Sequence, residues 1–373
     1  MGIDLVKDKI VILGGYGQVG GYLSKALGKK YPGRVLAVGR NLEKAKAFEA
    51  QTKGLVKGRA CNLSKEKEVE SLLDEAQVVV MCFVPKDTTV VEKCIKRDVH
   101  YIDITPSYQK LVLLEKYEEE VRQMQTSIIF GVGICPGLTN LMVREIKEKY
   151  KEVQSVESTM LLGVGETYGM DALDWLLDNL KGTIELEGQS GKKELRPFRE
   201  GKKINFLSRK TQVCYPIDLA DQHIIPKTLG IWDVQSRFCY DVNWITKEVA
   251  LMNRFGLISK NLLLKGIWVA QKLKIGTDDY VLQIKARVRS IKSVSETKEV
   301  VYEISGSDNA KMTAYVAAAT VCLLLSGKVD VGVHYLEEIT SLQEILTGQQ
   351  LEKGLEQIKE GMNLAYQFNR CEK

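Results

Sequence analysis

The feature that most constrains this chain is a glycine pattern near its start, placed between an apolar run and an amphipathic one. Residues 10–13 are Ile-Val-Ile-Leu, which predicts a buried strand, and Gly15-x-Gly17-x-x-Gly20 follows them and opens a helical pattern. In such a turn the first glycine permits a tight bend, the second lets the backbone approach a bound group, and the third lets helix and strand pack closely. Backbone N–H groups at the start of the helix point towards anions. The residues predicted to hold a dinucleotide pyrophosphate are Gly15, Tyr16, Gly17, Gln18, Val19 and Gly20.

The end of the second predicted strand, residues 35–38, distinguishes between the two nicotinamide dinucleotides. NAD-binding domains usually place an acidic residue here, about twenty residues beyond the glycines, to bind the ribose 2′-hydroxyl. This chain has Gly39-Arg40-Asn41 instead. A carboxylate would repel the 2′-phosphate of NADP, whereas the Arg40 guanidinium can donate two charge-assisted hydrogen bonds to it. The sequence therefore predicts NADP(H); NAD(H) remains the alternative, with Arg40 stacked on the adenine.

Three further cofactor contacts are predicted from position in the βαβ pattern. Asn62 follows the third strand and is assigned to the adenine edge, while Phe83 and Val84 follow the fourth and are assigned to the cofactor crevice. Open α/β sheets bind ligands outside the carboxyl ends of their strands, which is where these residues are expected. Together with Gly39 and Asn41 they complete the predicted cofactor site.

Short apolar strands alternate with amphipathic helical segments from residue 9 to residue 135. Strands are predicted at 10–13, 35–38, 78–83, 101–104 and 127–131, and helices at 17–30, 65–75, 88–97 and 110–125. The strands are nearly all Val, Ile and Leu, as in a sheet covered by helices on both faces. The predicted fold class is α/β, with a Rossmann doubly wound parallel sheet over residues 1–137 that residues 309–373 complete.

The rhythm changes after Pro136-Gly137. Strands are predicted at 154–161, 183–187, 202–207, 280–291 and 300–305, and the strict alternation of residues 281–288 is typical of a half-buried antiparallel strand. Residues 138–308 are therefore predicted to form a second, α+β domain.

Composition excludes several classes of function. The chain has 53 basic and 48 acidic residues without a run of five like charges, so no nucleic-acid partner is expected. Its eight cysteines and three histidines show no metal-ligand spacing, and no Gly-x-Ser-x-Gly is present, so neither a metal site nor hydrolysis is expected. No apolar run approaches the roughly 18 residues of a membrane helix, so no membrane partner is expected. The cysteine pattern favours reduced thiols in the cytoplasm.

Three features of the chain resemble the saccharopine dehydrogenase and reductase superfamily. They are the 14–20 glycine segment, His100-Tyr101-Ile102-Asp103 with the later segment 130–140, and a tail with the Ala314 helix, Gly332-Val333 and Glu337-Glu338. The resemblance implies a Rossmann domain, a second domain for substrate and dimerisation, a homodimer, and redox chemistry at a carbon–nitrogen bond of a small amino-acid-derived substrate. Residues 135–140 read Cys-Pro-Gly-Leu-Thr-Asn, whereas saccharopine reductases carry an Asp-Pro-Gly-Ile-Asp-His type sequence. The resemblance is therefore to a saccharopine dehydrogenase-like oxidoreductase.

Five residues are candidates for the chemistry. Asp103 and Cys135 follow predicted strands at the ligand-binding edge, where Asp103 is either an acid–base or orienting group or a helix cap, and Cys135 either a low-pKa thiol or an inert buried one. Tyr108 is a candidate proton donor or a packing residue. The resemblance places Tyr168 and Asp171 beside the substrate, with a helix cap as the alternative for Asp171.

Three functions fit these predictions. The leading one is an NADP-dependent oxidoreductase that acts on an imine or amine. The second is a homospermidine-synthase-like enzyme with retained NAD, reduced and reoxidised within one turnover. The third is a nonenzymatic NADP(H)-binding regulatory protein, because the Asp and His of the family pattern are missing from residues 135–140.

Overall fold

The structure is a computed structural model that describes residues 7–166, 170–188, 191–289, 297–347 and 363–369, with side chains described for all of these except 170–172 and 363–369. Its strands are β1 (Lys9–Leu13), β2 (Val35–Gly39), β3 (Val56–Ala60), β4 (Ala76–Met81), β5 (His100–Asp103), β6 (Ser127–Phe130), β7 (Glu152–Leu162), β8 (Ile184–Gly188), β9 (Gly191–Leu195), β10 (Lys202–Ile204), β11 (Gln212–Pro216), β12 (Val234–Tyr240), β13 (Asp279–Arg289), β14 (Thr297–Ser307), β15 (Gly332–Tyr335) and β16 (Asn363–Asn369).

Its α-helices are α1 (Gln18–Lys30), α2 (Leu42–Gln51), α3 (Glu66–Leu73), α4 (Thr89–Lys96), α5 (Tyr108–Leu111), α6 (Glu118–Gln123), α7 (Thr139–Lys149), α8 (Met170–Asn179), α9 (Asp221–Leu229), α10 (Asn243–Arg254), α11 (Lys260–Lys272), α12 (Asn309–Leu325), α13 (Leu336–Ile339) and α14 (Leu342–Thr347), with a 3-10 helix at Val112–Tyr117. The chain forms two compact units. The described part of the first unit is 7–133 and 310–347. The second unit comprises the described residues between 134 and 309 together with 363–369.

The first unit is built on a parallel seven-stranded sheet in the order β15-β6-β5-β4-β1-β2-β3. The strand order reverses between β1 and β4, where Val11 pairs with Val79 on one side and with Leu36 on the other. The carboxyl ends of β1 and β4 therefore flank the switch point at which doubly wound sheets bind their ligands. This architecture confirms the predicted Rossmann fold.

Helix α12 contributes much of the core of the first unit. It is apolar all round, and Ala314, Tyr315, Val316, Ala317 and Ala318 are fully buried. A helix without a polar face is stable in water only when neighbouring elements cover it on several sides. The Tyr315 hydroxyl donates to the backbone oxygen of Ile345 at 2.9 Å, which satisfies the polar group that accompanies this burial.

The second unit contains a mixed seven-stranded sheet in the order β10-β11-β12-β7-β13-β14-β16 and a separate β8–β9 hairpin. Strands β7 and β12 are parallel, while β13 runs antiparallel to both β7 and β14. The predicted second α+β domain is therefore present. Four of its described strands, β9, β11, β12 and β16, were not predicted.

Two predictions about the chain's course differ from the structure. Residues 309–373 were expected to complete the first domain, but β16 pairs with β14 in the sheet of the second unit. The single helix predicted at 110–125 is broken into α5, the 3-10 turn and α6. Glu118, Glu119 and Glu120 occupy the first turn of α6, where their charges favour a new helix start.

No helix in the described ranges has both the length and the apolar character that crossing a bilayer requires.

Candidate functional site

The turn after β1 holds three glycines in close contact with their surroundings. A Cβ on Gly15 would lie 2.6 Å from Cα of Ala37 in β2, and a Cβ on Gly20 would lie 2.2 Å from the Gly14 backbone oxygen. Both distances are far below van der Waals contact, so α1 can approach the strands this closely only because side chains are absent. Gly17 donates its N–H to the Gly14 oxygen at 2.8 Å and is itself exposed.

The left-handed residue of this turn is Gly14, with φ of +82°. The sequence pattern assigned the tight bend to Gly15, which is instead constrained by packing against β2. The assignment differs because the pattern fixes only the spacing of glycines, whereas the dihedral angles depend on how β1 and β2 lie together.

Tyr16 links the turn after β1 to the turn after β2. Its hydroxyl accepts a hydrogen bond from the Asn41 N–H at 3.0 Å and donates to the Asn41 carbonyl at 3.1 Å. Gly39 lies under the phenol, because a Cβ there would meet the Tyr16 hydroxyl at 2.3 Å. The Asn41 side chain is the N-cap of α2 and accepts from the Lys44 N–H at 2.9 Å. In this structure Gly39 and Asn41 therefore shape the loop that presents Arg40.

Arg40 is exposed at the carboxyl end of β2, and among the described residues its guanidinium has neither a hydrogen bond nor an ion pair. A cation held at this edge without a protein partner is available for a phosphate.

The other predicted cofactor contacts differ in their surroundings. Phe83 reaches the glycine turn, since its ring lies 3.2 Å from a Cβ placed on Gly14, and Val84 follows it, partly exposed. The side-chain oxygen of Asn62 accepts a hydrogen bond from the Ser64 N–H at 3.1 Å, and the backbone N–H of Asn62 donates to the Glu68 carboxylate at 2.8 Å. Asn62 thus forms a turn before α3, and its side-chain amide nitrogen is the part left for an adenine.

Asp103 ends β5 but is only 2% exposed. One carboxylate oxygen accepts from the Tyr101 hydroxyl at 2.8 Å and the other from the Thr105 N–H at 2.7 Å. Burial raises the pKa of Asp103, against the opposing effect of the hydrogen bonds from Thr105 and Tyr101. It does not cap the next helix, since the N-cap of α5 is Ser107.

Asp103 and Tyr101 line a cavity of about 20 Å³ together with residues that include Lys110 and Leu114. This volume is about that of one water molecule and leaves no room for an amino acid. The surroundings of Asp103 therefore favour an orienting role over direct acid–base contact with a substrate.

Cys135 belongs to a buried polar cluster in the second unit. Its thiol contacts Oδ2 of Asp221 at 3.4 Å, and the same carboxylate accepts from Ser158 at 2.6 Å and from Ser236 at 2.7 Å. Burial, and then the Asp221 carboxylate, raise the pKa of the Cys135 thiol well above its usual value. Of the two alternatives for Cys135, the raised pKa favours the inert buried cysteine over the low-pKa thiol.

The remaining candidates are less defined. Tyr108 is the first residue of α5 and is partly exposed. Tyr168 lies outside the described residues, and Asp171 lies in α8 without a described side chain.

The described side chains contain no group of three or more His, Cys, Asp or Glu arranged for a metal ion. Three features were not predicted from the sequence: the positive φ of Gly14, the hydrogen bonds of Tyr16 to Asn41, and the buried Asp221. Only Gly14 had a local signal in the sequence, because it stands next to Gly15.

One consequence for stability concerns His100, at the start of β5. Its Nδ1 accepts from the Ser127 N–H at 3.0 Å, and burial lowers the pKa of the imidazole despite the nearby Asp98. In the unfolded chain the pKa is about 6.5, so below that pH the unfolded state binds more protons than the folded one. We expect the free energy of unfolding to fall as the pH drops from about 6.5 towards the lower folded-state pKa.

Thermal melts recorded across this window test the expectation. In His100→Gln, whose side-chain oxygen can still accept from Ser127, the melting temperature should fall less steeply with acid than in the parent chain. Above the window the two slopes should coincide. Equal slopes within it would show that His100 does not couple protonation to folding.

The chain is similar to proteins of known family and structure. Residues 10–129 match the family model of the saccharopine dehydrogenase NADP binding domain. No curated protein sequence matches the chain. Apo saccharopine dehydrogenase (L-Glu forming) from Saccharomyces cerevisiae is similar in structure, with a TM-score of 0.67 and 14% identity over 97% of this chain and 100% of that one. A meso-dapdh mutant with DAP from Clostridium tetani gives a TM-score of 0.45 and 14% identity over 93% of this chain and 97% of that one.

Proposed function

We propose that the chain, whose residues 10–129 match the family model of the saccharopine dehydrogenase NADP binding domain, is an oxidoreductase acting on a carbon–nitrogen bond of an amino-acid-derived substrate. That the first unit binds NADP(H) follows from the family match. The observation that carries the proposal is the glycine turn after β1 with the exposed Arg40 one strand away.

The residues present fit a dinucleotide. A Cβ on Gly15 or Gly20 would clash with Ala37 or with the Gly14 backbone oxygen, so these glycines keep α1 close to the sheet, and the exposed Gly17 leaves its backbone open to a pyrophosphate. The start of α1 offers N–H groups to the phosphates. Arg40 would hold the 2′-phosphate, and Phe83 and Val84 would line the crevice at the end of β4.

When bound, the nicotinamide supplies or accepts the hydride at the carbon of the substrate. The protein then has to orient the substrate and manage a proton at its nitrogen. We propose Tyr108, Tyr168 and Asp171 as candidate groups for that task, with Asp103 and Cys135 as buried positioning groups. The burial of Asp103 and Cys135 also favours the nonenzymatic NADP(H)-binding alternative, in which no imine drives turnover.

The second unit is proposed as the substrate and dimerisation domain of a cytoplasmic homodimer. The described cysteines are all free thiols, as reducing conditions would keep them. The dimer is proposed from the family resemblance.

The test of the proposed function is cofactor titration of Arg40→Ala. If the guanidinium binds the 2′-phosphate, the affinity for NADPH should fall about ten- to a hundredfold, because one charge-assisted pair is lost. Affinity for NADH should not change. Nicotinamide fluorescence of cofactor-free protein measures both.

Lys46→Ala removes an exposed cation of α2 and should leave both affinities unaltered. Equal binding of NADPH and NADH by the parent chain, or an unaffected Arg40→Ala, would contradict the assignment and favour an enzyme with retained NAD. A panel of imines then distinguishes the two functions. Oxidation of NADPH by one of them supports the oxidoreductase, and oxidation by none supports the nonenzymatic NADP(H)-binding protein.

A further inference from the structure

Large apolar side chains are exposed together on residues 243–274 of the second unit, which we call the 243–274 surface. It comprises α10, α11 and the turn between them. Of the fourteen large hydrophobic side chains exposed in the described residues, eight lie here. Five of these are at least 60% exposed: Trp244, Phe255, Leu257, Trp268 and Leu273.

Six of the eight exposed residues follow the helical repeat, while Leu257 lies in the turn and Trp268 on another exposed face of α11. On α10, Trp244, Leu251 and Phe255 are spaced by seven and then four positions, so they form one stripe. The face of α10 that packs inward is a different one, built from Thr246, Val249 and Ala250.

Helix α11 repeats this arrangement with Leu262, Val269 and Leu273. Only Leu263 and Ala270 of its 13 residues are buried. Each helix thus carries an apolar stripe beyond the one that its own packing uses, and contiguous exposed apolar area of this kind marks an interaction site.

The same segment is strongly basic. It contains Lys247, Arg254, Lys260, Lys265, Lys272 and Lys274 but a single acid, Glu248. Its formal charge of +5 equals that of the whole chain, so the remaining residues are neutral in sum. Lys260 forms an ion pair with Asp174, and Lys272 lies over the Trp268 ring at 5.0 Å from its centroid.

We propose that the 243–274 surface binds an anionic lipid bilayer peripherally, with its tryptophans and leucines in the headgroup boundary and its lysines against the phosphates. Surface-bound amphipathic helices combine Lys or Arg with Trp, Phe and Leu in this way. Protein–protein interfaces, by contrast, are depleted in lysine, and five of the six cations here are lysines.

A second copy of this chain is a poorer occupant. A twofold contact through this surface would place two formal charges of +5 against each other. An anionic membrane instead attracts each lysine near it. No membrane partner was expected from the sequence, because no apolar run is long enough to span a bilayer. Peripheral binding to the bilayer surface does not require such a run. This inference is independent of the proposed redox function.

Co-sedimentation with vesicles tests the proposal. The full chain should bind vesicles of equal parts phosphatidylglycerol and phosphatidylcholine at low ionic strength, and should bind phosphatidylcholine vesicles much less. Its tryptophan emission should shift to the blue on binding. Trp244→Ser with Trp268→Ser should abolish the shift and most of the binding.

Charge can be tested separately. Lys265→Gln with Lys274→Gln should weaken binding about twenty-fivefold, since each lysine near an anionic surface contributes about fivefold. Matched controls in the first unit are Leu42→Ser with Leu113→Ser, and Lys46→Gln with Lys67→Gln, which should bind vesicles as the parent does. Unchanged NADPH binding and melting temperature show that each variant is folded.

Binding to neither kind of vesicle, or binding that the 243–274 variants leave intact, would overturn the proposal. A dimer that dissociates in Trp244→Ser with Trp268→Ser, without vesicle binding by the parent chain, would also overturn it in favour of a second copy as occupant. Analytical ultracentrifugation distinguishes that case.

Discussion

Gly20→Ala is expected to weaken NADPH binding by at least about a hundredfold, because the added Cβ would lie 2.2 Å from the Gly14 oxygen. Neither atom can move by itself: Gly20 belongs to α1, and Gly14 holds the turn between β1 and that helix. The start of α1 must therefore shift, and its N–H groups with it. Such overpacking should also cost about 1–3 kcal/mol of stability.

The neighbouring glycine provides a matched control. A Cβ on Gly21 would meet Phe48 at 3.7 Å, which is ordinary contact, so Gly21→Ala should bind NADPH like the parent chain. Alanine in a helix interior should even stabilise it slightly. Fluorescence titration and thermal melts measure both effects. Equal affinities in the two variants would contradict the close approach of α1 to the Gly14 turn.

Asp221→Ala is expected to destabilise the second unit by about 3 kcal/mol, which is roughly 10 °C in melting temperature for a unit of this size. Asp221 is fully buried, and its carboxylate accepts from the hydroxyls of Ser158 and Ser236 and from the Gln222 N–H. Removing it leaves these donors buried without their acceptor, and each unsatisfied group carries a desolvation penalty.

In differential scanning calorimetry, the lower stability should appear in the unfolding transition of the second unit alone. NADPH binding by the first unit should be unchanged. Asp233→Ala, at an exposed acid just before β12, should change stability by less than about 0.5 kcal/mol. Asp221→Asn, which keeps one acceptor oxygen, should lie between the two. A melting temperature for Asp221→Ala equal to that of the parent would show that the buried cluster contributes nothing to the fold.

Prediction from sequence succeeded where one local pattern determines the outcome. Five strands of the first unit, β1, β2, β4, β5 and β6, were predicted within about two residues of their ends, because a strand buried between helix layers needs an unbroken run of Val, Ile and Leu. Strands β3 and β15 have less apolar sequences and were not among the predicted ranges. Strands β11 and β12 were missed. Their sequences, Gln212–Pro216 and Val234–Tyr240, mix Gln, Ser and Arg with apolar residues, and β12 pairs with β7, which is distant from it in the chain.

The features of the candidate site likewise differ in whether the local sequence or the tertiary structure determines them. The glycine spacing and Arg40 are properties of a short segment and could be identified at once. The burial of Asp103 and the raised pKa of Cys135 depend on Tyr101, Thr105 and Asp221, of which only the first two are neighbours in sequence. An acid or thiol at a strand end therefore looks equally available in a sequence whether the fold exposes it or not.

The sequence by itself determined the dinucleotide fold, the spacing of the glycines after β1 and the basic character of the 243–274 surface, since periodicity, spacing and charge belong to contiguous residues. The tertiary structure decided which glycine adopts a positive φ, that Tyr16 closes over Gly39, and that β16 joins the second sheet. It also decided that the stripes of α10 and α11 remain uncovered. These outcomes depend on atoms brought together from distant parts of the chain, and burial, close contact and pKa are properties of those encounters.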